Sequence, residues 1–245
     1  MNILWMQCKM ESIRILRNRY FLIFFNPDAN HVLFYFYQNC EYGYSESGRV
    51  AGAILNVDGR FSVMGSALMS LSIRNVEERS KGWSLLFKVT PLPDSVYFLA
   101  KMVGQSVVHL LSIMAVFIVG ALINGVQLPL TTWLLSGMWL LVASFAFMAL
   151  GTLIGLMKKV DTAMGVSNVL YLVLAVIGGL WMPLDVFPEL LQAIGKWLPS
   201  YSFANGAWQL VVGEVPEWRN GFILIGYALI FMVLSVYIRR KQEAV

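Results

Sequence analysis

Three stretches of the chain run apolar and uncharged from end to end: Met102–Ile123, Trp133–Met157 and Met164–Met182. Wound as helices, about 20 such residues cross roughly 30 Å of hydrocarbon, so each predicts a membrane span. Phe222–Ile238 is shorter, but Trp218 ahead of it and Arg239, Arg240 and Lys241 behind it are interfacial anchors, which makes a fourth. Two further apolar stretches are interrupted. Asn26, Pro27, Asp28, Asn30 and His31 break Tyr20–Tyr37, and Asn56, Asp58 and Arg60 occupy the outer half of Ala51–Ile73. Residues 2–19 have a different period: Met6, Met10, Ile13 and Leu16 recur on one side of a helix, and Gln7, Glu11, Arg14 and Asn18 on the other. That pattern predicts an amphipathic helix lying on a membrane surface.

Composition agrees, since the 245 residues are 58% hydrophobic and 13% charged, about half the usual charged share. A soluble fold would lack polar surface. Lys9, Glu11, Arg14, Arg17 and Arg19 interrupt the start, so it does not read as a secretory signal. The basic residues gather in four groups: Lys9 to Arg19, Arg74 to Lys101, Lys158 with Lys159, and Arg239 to Lys241. Arg49, Arg60, Lys196 and Arg219 are left over. An even number of candidate spans separates each group from the next, so the positive-inside rule places all four groups in the cytoplasm. This requires crossings near Tyr20–Tyr37 and Ala51–Ile73, giving six spans with both termini inside. The net charge of +4 is thereby explained by topology, with no nucleic acid as partner.

Site chemistry is sparse. There is no Gly-x-x-x-x-Gly-Lys-Ser/Thr phosphate loop; Gly195-Lys196 continues into Trp197. His31 and His109 are the two histidines, and no cluster has metal-ligand spacing. Cys8 and Cys40 fall on opposite sides of the membrane and predict no bridge. Ser106, Ser112, Ser136 and Ser144 read as hydrogen-bonding to helix backbone rather than as nucleophiles, and His109 as a packed polar residue. Intramembrane charges often mark ion sites, but Asn26–His31 has no partner carboxylate, and Asp58 and Arg60 fit the outer headgroups.

Two connections carry more information. Residues 74–101 begin charged, become amphipathic through Trp83, Leu86 and Phe87, and stop at Pro91 and Pro93, predicting a short helix with a firm end. Residues 183–217 combine Pro183, Pro188, Pro199 and Pro216 with Phe187, Leu190, Leu191, Trp197, Tyr201, Phe203 and Trp208, too greasy for a hydrated loop. Short helices dipping into the outer leaflet satisfy both features. Gly178 and Gly179 precede them and permit close packing or a bend.

The run Glu78-Arg79-Ser-Lys-Gly82, then Leu85-Leu86 and Thr90-Pro91-Leu92, resembles the signature of permease subunits of type-2 ABC exporters. Gly178-Gly179-Leu-Trp-Met-Pro183, then Pro188 and Leu198-Pro199-Ser-Tyr201, resembles that family's outer segment. The resemblance runs over nearly the whole chain in the same order, and departs at the polar interruption of the first span. It implies an all-α integral membrane protein of six transmembrane helices with an N-terminal amphipathic helix, a cytoplasmic coupling helix and re-entrant outer helices before the last span. The implied organisation is one domain over 1–245: an interfacial helix at 1–19, two spans in 20–73, the coupling segment at 74–101, three spans in 102–182, the re-entrant segment at 183–217, then the last span and basic tail.

The resemblance also implies a function. Glu78, Arg79, Gly82, Trp83, Leu86, Phe87 and Pro91 would couple to a separate ABC ATPase subunit, which holds the ATP and Mg; this chain would carry no cofactor or metal and perform no bond chemistry. A second permease copy or related chain would complete the path, with Met64, Ser66, Met69, Asn168 and Tyr171 lining it near spans two and five. The product is export of a drug-like, lipid or peptide substrate across the plasma membrane. The rival classes, an ion-coupled secondary transporter or an intramembrane enzyme, lack inverted repeats and a nucleophile–base constellation respectively.

Overall fold

A computed structural model describes residues 3–16, 60, 62–82, 94–122, 128–180, 184 and 187–243. The described residues are helical, with four helices long and apolar enough to cross a membrane: Val96–Ile118, Leu130–Ile154, Val160–Ile177 and Trp218–Gln242. These match the four uninterrupted stretches of the sequence. Large apolar side chains cover their outer faces, among them Leu134, Met138 and Val142, and Phe222, Leu229 and Val233. This is an integral membrane protein. The first interrupted stretch, Asn26–His31 and Cys40 lie outside the described residues.

Helix α1 (Ile3–Leu16) is followed by helical residues 62–65, a π-helical turn at Ser66–Ser70 and α2 (Leu71–Ser80). Then come α3 (Asp94–Leu122), α4 (Leu130–Ile154), α5 (Val160–Ile177), the short α6 (Glu189–Gly195), α7 (Pro199–Val212) and α8 (Trp218–Glu243). Their ends follow local chemistry. Pro199 opens α7, where its missing N–H costs nothing, and Gly213 closes it at φ 90°, with the Glu214 N–H donating to the Gln209 carbonyl at 2.8 Å. Asp161 sits in the first turn of α5, and Arg240 and Lys241 in the last turn of α8, each complementing the helix dipole.

Helix α4 is central, with α3, α7, α8 and the π turn packed on it. Small residues bring the backbones close: a Cβ at Gly151 would run into the Ala67 carbonyl. Around that crossing, Met64, Leu68 and Leu71 pack with Leu140, Phe147 and Met148. Phe147 meets Phe203 of α7 edge to face, with centroids 5.2 Å apart.

The short helix expected within residues 74–101, through Trp83, Leu86 and Phe87 to Pro91, lies largely outside the described residues, which stop at Gly82 and resume at Asp94. Residues 74–80 continue α2 without a break, because Asn75, Val76 and Glu78 are buried against neighbouring helices. The helix ends at Gly82, whose φ of 77° is left-handed, with the Lys81 N–H donating to the Glu77 carbonyl at 2.9 Å. Helix α3 likewise starts at Asp94, so Lys101 lies inside it rather than at the end of a loop.

Candidate functional site: a charged clasp at one end of the bundle

The clasp is built where α1, α2 and α3 meet. Lys101 of α3 is 0% exposed, and its ammonium lies 2.9 Å from Glu11 Oε1 of α1. The same nitrogen pairs with Glu78 Oε2 of α2. Both carboxylates are 3% exposed. Helix α1 packs along α3 through this contact, turning Glu11 inward while Met6, Met10 and Ile13 of its apolar row face outward. That inversion suits a helix whose apolar side meets lipid and whose polar side meets protein.

A second layer surrounds the triad. Arg239 of α8 stacks over the Tyr97 ring at 4.5 Å and the Phe98 ring at 5.4 Å, so the last helix is tied to α3 by cation–π contacts. Arg79, the next residue after Glu78, takes different partners. It donates to the carbonyls of Gly155 at 3.3 Å and Met157, which follow α4, and to Gln242 Oε1 of α8 at 3.3 Å. Gln242 in turn donates to the Leu156 carbonyl at 3.3 Å. Burial pulls the Arg79 guanidinium below the usual arginine range. Adjacent residues of α2 thus fasten different helices at one bundle end.

At the other end, α7 seats by shape. A Cβ at Gly206 would overlap the indole of Trp139, whose Nε1 donates to the Phe203 carbonyl at 3.1 Å. A Cβ at Gly178 would overlap Ser200 Oγ. Arg60 donates to the Ala204 carbonyl at 2.9 Å.

The model matching residues 44–237 of the chain is that of the ABC-2 family transporter proteins. A Bacillus subtilis (strain 168) protein provisionally named transport permease YvfS is 51% identical over 248 residues, covering all of both chains. The chain belongs to the ABC-2 transporter family. It is a transport permease subunit.

Within this ABC-2 permease the sequence-derived residues separate. Glu78 and Arg79 are committed to partners inside the chain, Gly82 terminates α2 by its backbone angle, and Trp83, Leu86, Phe87 and Pro91 lie outside the described residues. Met64 and Ser66 are enclosed in the core, whereas Met69, Tyr171 and Asn168 reach the surface, Tyr171 resting beside Gly65. In the outer segment Gly178 is packed on Ser200, Gly179 has φ 71°, Pro188 precedes α6 and Pro199 opens α7; Pro183 lies outside the described residues. Ser106, Ser136 and Ser144 donate to the carbonyls of Met102, Thr132 and Leu141, the structural role expected of them. Sequence reasoning missed Glu11 and Lys101 as clasp partners, although a lysine preceding an apolar run is a visible signal. It also missed the π turn.

Proposed function

We propose that this permease is the membrane half of an ABC exporter, coupled to a separate ATPase subunit through the segment that follows α2. ATP and Mg act on that subunit, and a second permease copy or a related chain completes the path. The observation that carries the reading is the Glu78–Lys101–Glu11 clasp. A push delivered to the chain beyond Gly82 meets an α2 already fastened to α1 and α3, while Arg79 ties the same turn to the α4–α5 connection and α8. Rigid fastening transmits displacement that a loose loop would absorb. Trp83, Leu86 and Phe87 then supply the docking surface, and Glu78 and Arg79 hold its base.

The topology that goes with this is six spans in the plasma membrane with both termini cytoplasmic, α1 on the inner surface, and α6 and α7 as a re-entrant pair on the outer side. The whole forms one domain. Met69, Asn168 and Tyr171 line the path, and Met64 and Ser66 support its wall from behind. The substrate class is drug-like, lipid or peptide.

The test is co-purification of the permease with its ATPase, and ATP-dependent transport in vesicles, for a Trp83→Ala, Leu86→Ala, Phe87→Ala variant. The expected outcome is loss of both with the permease still in the membrane. Intact assembly and transport would sink the coupling assignment. A reporter fused after Tyr42 is expected to read as external; a cytoplasmic signal there would overturn the six-span topology.

A further inference from the structure

We infer that Gln105 and His109 form a buried water-binding site between the π turn, α3 and α4. Both side chains are 0% exposed, and they stand one helical turn apart on α3, the spacing at which two side chains face the same volume. Their hydrogen bonds fix which atoms remain. Ser144 donates its one hydroxyl proton to the Leu141 carbonyl at 2.7 Å, so toward His109 Nδ1, 3.0 Å away, it can only accept. The imidazole proton is therefore on Nδ1. Among the described residues no acidic side chain pairs with the ring, and a buried unpaired charge is costly, so the ring is neutral and Nε2 is a bare acceptor.

Gln105 is constrained in the same way. Its Nε2 donates to the Ser66 carbonyl at 3.5 Å, which leaves Oε1 as the free end of the amide. Among the described residues neither Gln105 Oε1 nor His109 Nε2 has a hydrogen-bond partner. Lys101, one turn earlier on α3, is turned to Glu78 and Glu11. Two such acceptors on successive turns call for a ligand that brings two hydrogens and no charge. Water is that ligand, and buried waters typically serve such groups. The π turn supports the assignment, since such turns displace backbone carbonyls from their helical partners, and here the Ser66 carbonyl takes Gln105 and the Leu68 carbonyl takes Ser167 at 3.0 Å. Hydration at this point would join the π turn to α3 and α4 inside one chain.

The test uses the full chain in lipid nanodiscs, with imidazole ¹⁵N labelling and His31→Gln to leave His109 as the single histidine signal. The expected spectrum is a neutral ring protonated at Nδ1, with a hydrogen-bonded Nε2 that shows magnetisation transfer from water. An imidazolium signal would mean that the site holds a proton and would overturn the proposal. So would the opposite tautomer, or transfer to Nε2 from a side chain of the protein instead of water. Gln105→Leu, His109→Leu and the double variant give a second reading that rests on melting temperature. Each variant also loses a bond of its own, to the Ser66 carbonyl or to Ser144, so if one water serves both acceptors the double variant loses less than the sum of the two single variants; fully additive losses would overturn the shared site. Should the variants fail to fold, the spectrum of the otherwise native chain decides.

Discussion

The two ends of this bundle are fastened by different physics. At one, Glu11, Glu78 and Lys101 are removed from water and compensate one another, with Arg79 and Arg239 bracing the same turn. At the other, α7 is held by Gly178, Gly206 and the face of Trp139, where fit rather than charge decides. The charged end specifies partners strongly, because a buried ion that loses its partner is left uncompensated. The close-packed end specifies shape, and fails when volume is added.

The largest effect is expected from Lys101→Met. It removes the cation that two buried carboxylates share, for which breaking a buried pair suggests a loss of about 3–5 kcal/mol. Melting of the purified permease should fall accordingly, and adding Glu11→Gln and Glu78→Gln should recover most of the loss. A triple variant no better than Lys101→Met would show that the lysine acts by packing, which would erase the contrast between the ends. Next in size is Gly178→Ala. Its Cβ would meet Ser200 Oγ and lie 2.5 Å from the Leu174 carbonyl, an overpacking expected to cost about 1–3 kcal/mol. Combining it with Ser200→Gly should restore part of that stability, and no restoration would point to the carbonyl contact instead.

The four spans were legible because lipid imposes one requirement that reads locally: about 20 apolar residues in a row. The polar interior was not legible by the same means. Lys101 looked like one more basic residue of a cytoplasmic connection, and Glu11 like the wet side of a surface helix, because neither pattern records which distant segment arrives beside it. The π turn at Ser66–Ser70 carries no proline or glycine to announce it and depends on Gln105, Ser167 and Gly151 from three other helices. His109 and the serines were legible as packed polar residues, since a membrane helix has few other uses for them. What stayed hidden was which of their atoms are left over, which only the partners reveal.

The smallest expected effect comes from the residue beside the clasp. Glu77 and Glu78 are neighbours in sequence and each pairs with a lysine, but Glu77 meets Lys81 at 3.2 Å with side chains 45% and 66% exposed. That pair is wetted, screened and free to break, so Lys81→Ala should change stability by no more than about 0.5 kcal/mol. The measurement is a melting curve at low and at high salt. A shift as large as that of Lys101→Met would mean that Lys81 shares the load of the clasp, and the division between a buried charged end and its solvated margin would have to be redrawn. A null result fixes that margin within one residue. Helical geometry puts successive side chains about 100° apart, which is enough to separate an ion pair that organises three helices from one that organises none.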